Sequence, residues 1–260
     1  MRYSLTSGTV FFFVMKMKVE IQRTPTGIDG LDAMLSGGFP KGRTVLICGG
    51  PGTGKTTLSM QFLFYGYVKY KENGVFVSLD EPKERIFQEA RCYGWDLRGL
   101  HEKGKIAFVE ASPHTSKKFS IEKLIQEIEE ATRSVDAQRI SLDPLTYLTL
   151  QYPDIISRRS AILALFKALI ETEATCLITD EIRGGGEERT ILVEEYLADG
   201  VIILQSSQVE RRRVRTIEIE KMRGTPIDDQ IRPYILDENG IKVISEKDIF
   251  TYAASLLMKK

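Results

Sequence analysis

The chain has 260 residues, 42% of them hydrophobic, enough for one sizeable α/β core or two small ones. Lysine plus arginine and aspartate plus glutamate both number 36, and the resulting zero formal charge excludes a global attraction to nucleic acid or anionic membrane, leaving only local patches. Cys48, Cys92 and Cys176 stand far apart with no C-x-x-C pair, which excludes a disulfide scaffold and fits free thiols in a cytoplasmic protein.

In chain order, Met1-Arg2 and the apolar run 10–15 resemble a short signal peptide. The run is only about six residues and no small-residue cleavage site follows. It is also far below the roughly 20 residues that span a bilayer, so no membrane association is expected. Residues 1–16 are expected to form a leader, disordered or a start-site extension, ahead of one domain over 17–244. Strands are predicted at Arg43–Cys48, Val75–Leu79, Ile106–Glu110, Arg139–Leu142, Thr175–Thr179 and Val201–Leu204. Helices alternate with them at Thr56–Tyr70, Lys83–Tyr93, Ile121–Ser134 and Ile155–Thr172. In the third, Ile121, Leu124, Ile125, Ile128 and Ala131 share a face and Ser120 can cap it. Such alternation implies right-handed βαβ units and a mostly parallel sheet. Arg213–Glu220, Tyr234–Leu236 and Ile241–Ile244 read as antiparallel strands added to one edge. A C-terminal tail over 245–260 reads as a short helix. Asparagine occurs only as Asn73 and Asn239, each before glycine, a scarcity that heat-adapted proteins share.

Between the first predicted strand and helix lies Gly49-Gly50-Pro51-Gly52-Thr53-Gly54-Lys55-Thr56, a G-x-x-x-x-G-K-[ST] phosphate-binding loop (P-loop). Its glycines let backbone N–H groups curl around phosphate oxygens without a Cβ in the way. The phosphate contacts are assigned to Gly50, Pro51, Gly52, Thr53, Gly54, Lys55, Thr56 and Thr57. Lys55 would reach the β- and γ-phosphates and the Thr56 hydroxyl would ligate Mg²⁺. ATP and Mg²⁺ are the ligands this pattern points to.

Three further features could complete a site. Asp143 ends the apolar run Ile140-Ser141-Leu142, where a carboxylate at a strand tip can hold Mg²⁺; an Asx turn is the alternative. Asp80-Glu81 ends another strand, and two adjacent carboxylates beside a triphosphate could orient and deprotonate a water, their repulsion and burial raising at least one pKa. The alternative there is an N-cap for the helix starting near Pro82. Lys221 and Arg223 are two apart on a strand-like run and so share a face.

Taken in order, these motifs form a specific set: Thr26-Gly27-Ile28-Asp29-Gly30-Leu31-Asp32, Gly37-Gly38-Phe39-Pro40-Lys41-Gly42, the P-loop, Asp80-Glu81, Gly94-Trp95-Asp96-Leu97, Leu142-Asp143 and Lys221-Met222-Arg223-Gly224-Thr225. The set resembles the KaiC-like branch of the RecA/RadA ATPases over about residues 22–244. The resemblance implies a RecA-type α/β fold, ATP hydrolysis, and ATP bound between subunits of a homo-oligomeric ring, often a hexamer, that acts as a conformational switch. It also implies that Asp143 is the Walker B acid and Glu81 the second of two catalytic glutamates. Lys221 and Arg223 match a pair that reaches the γ-phosphate of the neighbouring subunit's ATP. Asp80 stands where the family usually has glutamate, so either acid could position the water, with Glu81 favoured on reach. Where autophosphorylating relatives carry adjacent serine and threonine, this chain has Glu194-Glu195-Tyr196, so autokinase activity is not expected. One ATPase domain is expected rather than two in tandem.

Two other functions compete. A recombinase paralogue binding single-stranded DNA would use the glycine-rich segment 183–189, with Arg183 and Arg189, and a patch from Arg211-Arg212-Arg213 and Arg215. Against it, two glutamates offset the segment's two arginines and no aromatic is interleaved for base stacking. A nucleotide-gated scaffold that does not hydrolyse ATP would fit if Asp80 disables the base. The tail could then be a helix that docks a protein partner the sequence does not name; the alternative is a terminal helix packed on its own domain. His101 and His114 lack ligand spacing and are assigned to loops.

Overall fold

The computed structural model describes residues 21–111, 119–152, 154–182, 191–209, 212–245 and 248. The expected leader, the segment 183–189, His114, Arg211 and the tail helix lie outside the described residues. The elements in order are β1 (Arg23–Thr24), α1 (Leu31–Met34), β2 (Phe39–Pro40), β3 (Thr44–Gly49), α2 (Lys55–Tyr70), β4 (Gly74–Ser78), α3 (Lys83–Cys92), α4 (Leu97–Glu102), β5 (Ile106–Glu110), α5 (Ile121–Val135), β6 (Arg139–Asp143), α6 (Thr146–Thr149), α7 (Ile155–Glu171), β7 (Thr175–Glu181), α8 (Val193–Leu197), β8 (Gly200–Val209), β9 (Arg212–Met222), β10 (Arg232–Asp237) and β11 (Gly240–Val243).

A nine-stranded sheet runs in the order β11-β10-β9-β8-β3-β7-β6-β4-β5. From β8 to β5 neighbours are parallel, and β9, β10 and β11 join antiparallel at one edge, as the sequence predicts. Buried parallel strands need apolar residues on both faces, and β3 supplies them alternately. Val45 and Ile47 belong to the apolar cluster that α2, α3 and α4 help to form on one face, while Leu46 and Cys48 belong to the cluster of α5 and α7 on the other. On α5, Ile121, Leu124 and Ile128 are buried with Ile125 and Ala131 packed beside them, and the Ser120 hydroxyl accepts the cap bond from Lys123 N at 3.3 Å.

Two differences from the sequence reading have simple causes. Residues 97–102 form the helix α4, capped by Asp96 accepting from Gly99 N at 2.9 Å, so His101 lies in a helix and not in a loop. One and a half turns are too short to show a 3.6-residue period. Strand β8 also runs on past the predicted Val201–Leu204 to Val209, where it pairs with Arg212–Thr216 of β9. There the two strands satisfy each other's backbone groups without burying side chains.

Candidate functional site

In a parallel sheet, the strand tips and the helix N-termini that follow them gather at one end. Here that end carries the P-loop after β3, Asp180-Glu181 closing β7, Asp143 closing β6, and Asp80-Glu81 after β4. Neighbouring strands in the order β3-β7-β6-β4 therefore bring together every acid that the sequence singled out and the loop itself.

Gly52 (φ +74°) and Gly54 (φ +92°) adopt left-handed backbone that a side chain would strain. A Cβ on Gly49 would stand 2.6 Å from Thr53 Oγ1, so the loop closes on itself there. Thr53 Oγ1 donates to the Gly50 carbonyl at 2.8 Å. Helix α2 begins at Lys55 with no acid in its first turn, leaving its positive end uncompensated for an anion. The Lys55 ammonium is folded over the loop, donating to the carbonyls of Gly49 (2.8 Å) and Gly50 (3.3 Å). From outside, Arg215 Nε donates to Gly52 O at 3.3 Å and the Tyr234 hydroxyl to Thr53 O at 2.5 Å. Arg215, read in the sequence as part of a DNA patch, thus braces the P-loop.

Thr56 Oγ1 donates to Asp143 Oδ2 at 2.8 Å, and Thr179 Oγ1 donates to the other carboxylate oxygen. Burial pushes the Asp143 carboxyl above the usual range, against the lowering pull of those two hydroxyls and the Lys55 charge. The tip of β4 is turned by Ser78, whose hydroxyl donates to Glu81 O at 2.5 Å and accepts from Glu81 N at 3.1 Å. Glu81 faces Arg85 at 3.5 Å through one oxygen, while Oε2 is buried with no hydrogen-bond partner. Burial, aided by Glu89, raises the Glu81 pKa against the lowering effect of Arg85. Asp80 receives a hydrogen bond from the Tyr147 hydroxyl, whose pKa it raises. Neither acid caps α3: the N-cap is Pro82, and the free Lys83 N–H is taken by Glu110 Oε1 at 2.7 Å.

Thr179, Tyr147 and Asp180 escaped the sequence reading. Asp180 is buried and accepts from Thr146 Oγ1 at 2.6 Å. A signal was present, because Thr179-Asp180-Glu181 ends an apolar strand in acid just as β4 and β6 do.

Lys221 and Arg223 lie elsewhere. Gly200 pairs with Val45 on one side and Met222 on the other, whereas Gly49 pairs with Leu204. The pair therefore sits where β3 begins, and the P-loop where β3 ends. Lys221 Nζ donates to the carbonyls of Glu195 (3.0 Å), Tyr196 (3.4 Å) and Ala198 (2.6 Å), and Arg223 Nη2 to that of Tyr196 (3.4 Å). Both cations so cap the C-terminal end of α8, sharing a face as predicted. Burial, and then the Arg223 charge, lowers the Lys221 pKa.

These residues fit a magnesium nucleotide. The loop offers left-handed glycines and an uncompensated helix N-terminus to phosphate. Thr56 and Asp143 offer hard oxygen donors, and a dication would offset the cost of burying the Asp143 charge. Among the described residues no group of three His, Cys, Asp or Glu could hold a metal by itself. Magnesium usually takes only one or two protein ligands and completes its shell with phosphate and water. No helix among the described residues is long and apolar enough to cross a membrane.

The family model for the KaiC ATPase matches residues 24–248. The circadian clock protein KaiC3 of Synechocystis is 38% identical over 232 residues, covering 86% of this chain and 46% of that protein. The circadian clock oscillator protein KaiC of Parathermosynechococcus lividus is 36% identical over 229 residues, covering 86% of this chain and 42% of that protein. The chain thus spans less than half the length of these curated relatives. A crystal structure of a KaiC-like protein from the hyperthermophilic archaeon Pyrococcus horikoshii superposes with a TM-score of 0.78 at 33% identity, covering 86% of this chain and 99% of that one. With a RecA-type P-loop core and these relatives, the chain belongs to the KaiC family of ATPases.

Proposed function

We propose that this protein binds Mg·ATP between the subunits of a ring, hydrolyses it, and uses the cycle as a conformational switch read by a protein partner. The observation that carries this reading is the convergence of Lys55, Thr56, Asp143 and Glu81 at the tips of β3, β6 and β4. Lys55 leaves its two loop carbonyls to meet the β- and γ-phosphates. Thr56 and Asp143 would hold Mg²⁺, which would supply charge neutralisation on the phosphate oxygens. Glu81 takes the proton of the attacking water through its unpartnered Oε2, with Asp80 orienting the same water. Lys221 and Arg223 lie at the wrong end of their own sheet for this, which supports their action on a neighbouring subunit's ATP. A subunit contact would draw them off the α8 carbonyls onto γ-phosphate oxygens, where an arginine finger is worth about 10³-fold or more in rate. A hexameric ring in the cytoplasm is the assembly this reading implies.

The test is ATP hydrolysis by the purified protein beside nucleotide binding, with and without single-stranded DNA. Lys55→Ala should abolish hydrolysis. Arg223→Ala should abolish hydrolysis while sparing binding; a retained rate would sink the finger assignment. Strong stimulation by DNA would favour the recombinase reading, and ATP binding without turnover the scaffold.

A further inference from the structure

One peptide of the P-loop is held from outside by a side chain that phosphate chemistry alone does not call for. Tyr234 on β10 is buried, 1% exposed, and its hydroxyl donates to the Thr53 carbonyl at 2.5 Å. The C=O and N–H of a trans peptide point in opposite directions. A carbonyl drawn toward β10 therefore aims the Gly54 N–H toward the mouth of the loop, where a phosphate oxygen would accept it.

The donor is itself rigid. Gln61 of α2, buried at 3% exposure, grips the backbone of Ile241 both ways, donating to its carbonyl at 2.9 Å and accepting its N–H at 2.8 Å. A Cβ on Gly54 would stand 3.2 Å from side-chain carbons of both Leu236 and Ile241. The β10–β11 hairpin is thus seated on the loop and on the helix that follows. Burial raises the Tyr234 pKa, so the hydroxyl keeps its proton and stays a donor across the working pH range.

We propose that Tyr234 is a positioning residue for nucleotide binding: through the Thr53 carbonyl it sets the Thr53–Gly54 peptide in the orientation that receives phosphate. The inference rests on the nucleotide reading of the P-loop. The Tyr234→Phe variant keeps the ring and its packing and removes only the hydroxyl. Its ADP dissociation constant, by titration calorimetry, should rise roughly 2- to 12-fold, the range of one hydrogen bond. In turnover KM should rise with kcat within about twofold, because the loop holds the phosphates alike in ground and transition states. The melting temperature of the nucleotide-free variant, measured in parallel, separates packing from positioning. A lower melting temperature with an unchanged ADP constant would overturn the inference and leave Tyr234 a packing residue. If the wild-type chain bound no ADP, the nucleotide reading itself would fall and this inference with it.

Discussion

Glu81 owes its chemistry to two neighbours and to its burial. Ser78 turns the strand tip, burial disfavours the carboxylate, and Arg85 restores part of it through the other oxygen. Only the deprotonated form can take a proton from water, so the hydrolysis rate should fall as pH drops through the raised Glu81 pKa. The acid limb of the pH–rate profile should accordingly lie above the ordinary carboxylate range. Stability runs the other way. Folding raises this pKa, so Glu81 favours the folded state at low pH and that contribution is lost as pH rises through the folded value. Glu81→Gln should therefore cut kcat by about 10²-fold or more, yet melt no lower than wild type near neutral pH. A variant that kept its rate would pass the role of base to Asp80. At this scale the sequence names residues but not their partners. It showed Asp80-Glu81, Asp143 and the P-loop because each follows an apolar run. It could not show that Glu110, far along the chain, caps α3 and frees both acids, or that Tyr147 engages Asp80.

Among the elements, the join between α2 and β6 explains residues that look misplaced in the sequence. Arg139 is fully buried at the start of β6. Its Nε and Nη2 both meet Glu72 Oε2 at 2.6 Å, Nη1 donates to Phe62 O at 3.1 Å, and the guanidinium lies over the rings of Phe62 and Tyr70. A Cβ on Gly66 would stand 2.5 Å from the Arg139 side chain, which accounts for a glycine inside a long helix. Removing Glu72 leaves the fully buried guanidinium uncompensated, whereas removing Arg139 leaves a carboxylate that is partly in water. Glu72→Gln should cost about 2–3 kcal/mol by urea denaturation, less than a fully buried pair because its side chain is 25% exposed. Arg139→Met should cost less; the reverse order would show that the guanidinium's packing and carbonyl bond outweigh its charge. The alternation of strands and helices was legible because long apolar runs carry their period. The short elements α1, α4, α6 and α8 were not, since a turn or two has no period to read. The same limit hid the place of Arg215, because strand pairing alone decides that this part of β9 borders the P-loop.

For the molecule as a whole, the sheet has two chemically distinct ends. The P-loop and its acids crown the end where the parallel strands finish, and Lys221 with Arg223 stands where they begin. One chain cannot bring both to one phosphate without unpairing β8 from β9. A head-to-tail contact can, with each subunit giving a P-loop on one side and cations on the other. Mixing separates the alternatives. A Lys55→Ala subunit has a disabled P-loop and sound cations, and an Arg223→Ala subunit the converse, so each alone should be inactive. After dissociation and joint reassembly, a site works only where an Arg223→Ala P-loop meets a Lys55→Ala neighbour. If assembly is random, an equal mixture should regain about a quarter of wild-type ATPase activity, falling to zero toward either pure variant. If the cations acted within their own chain, every subunit in every mixture would carry a broken site, and the activity would stay at zero whatever the ratio.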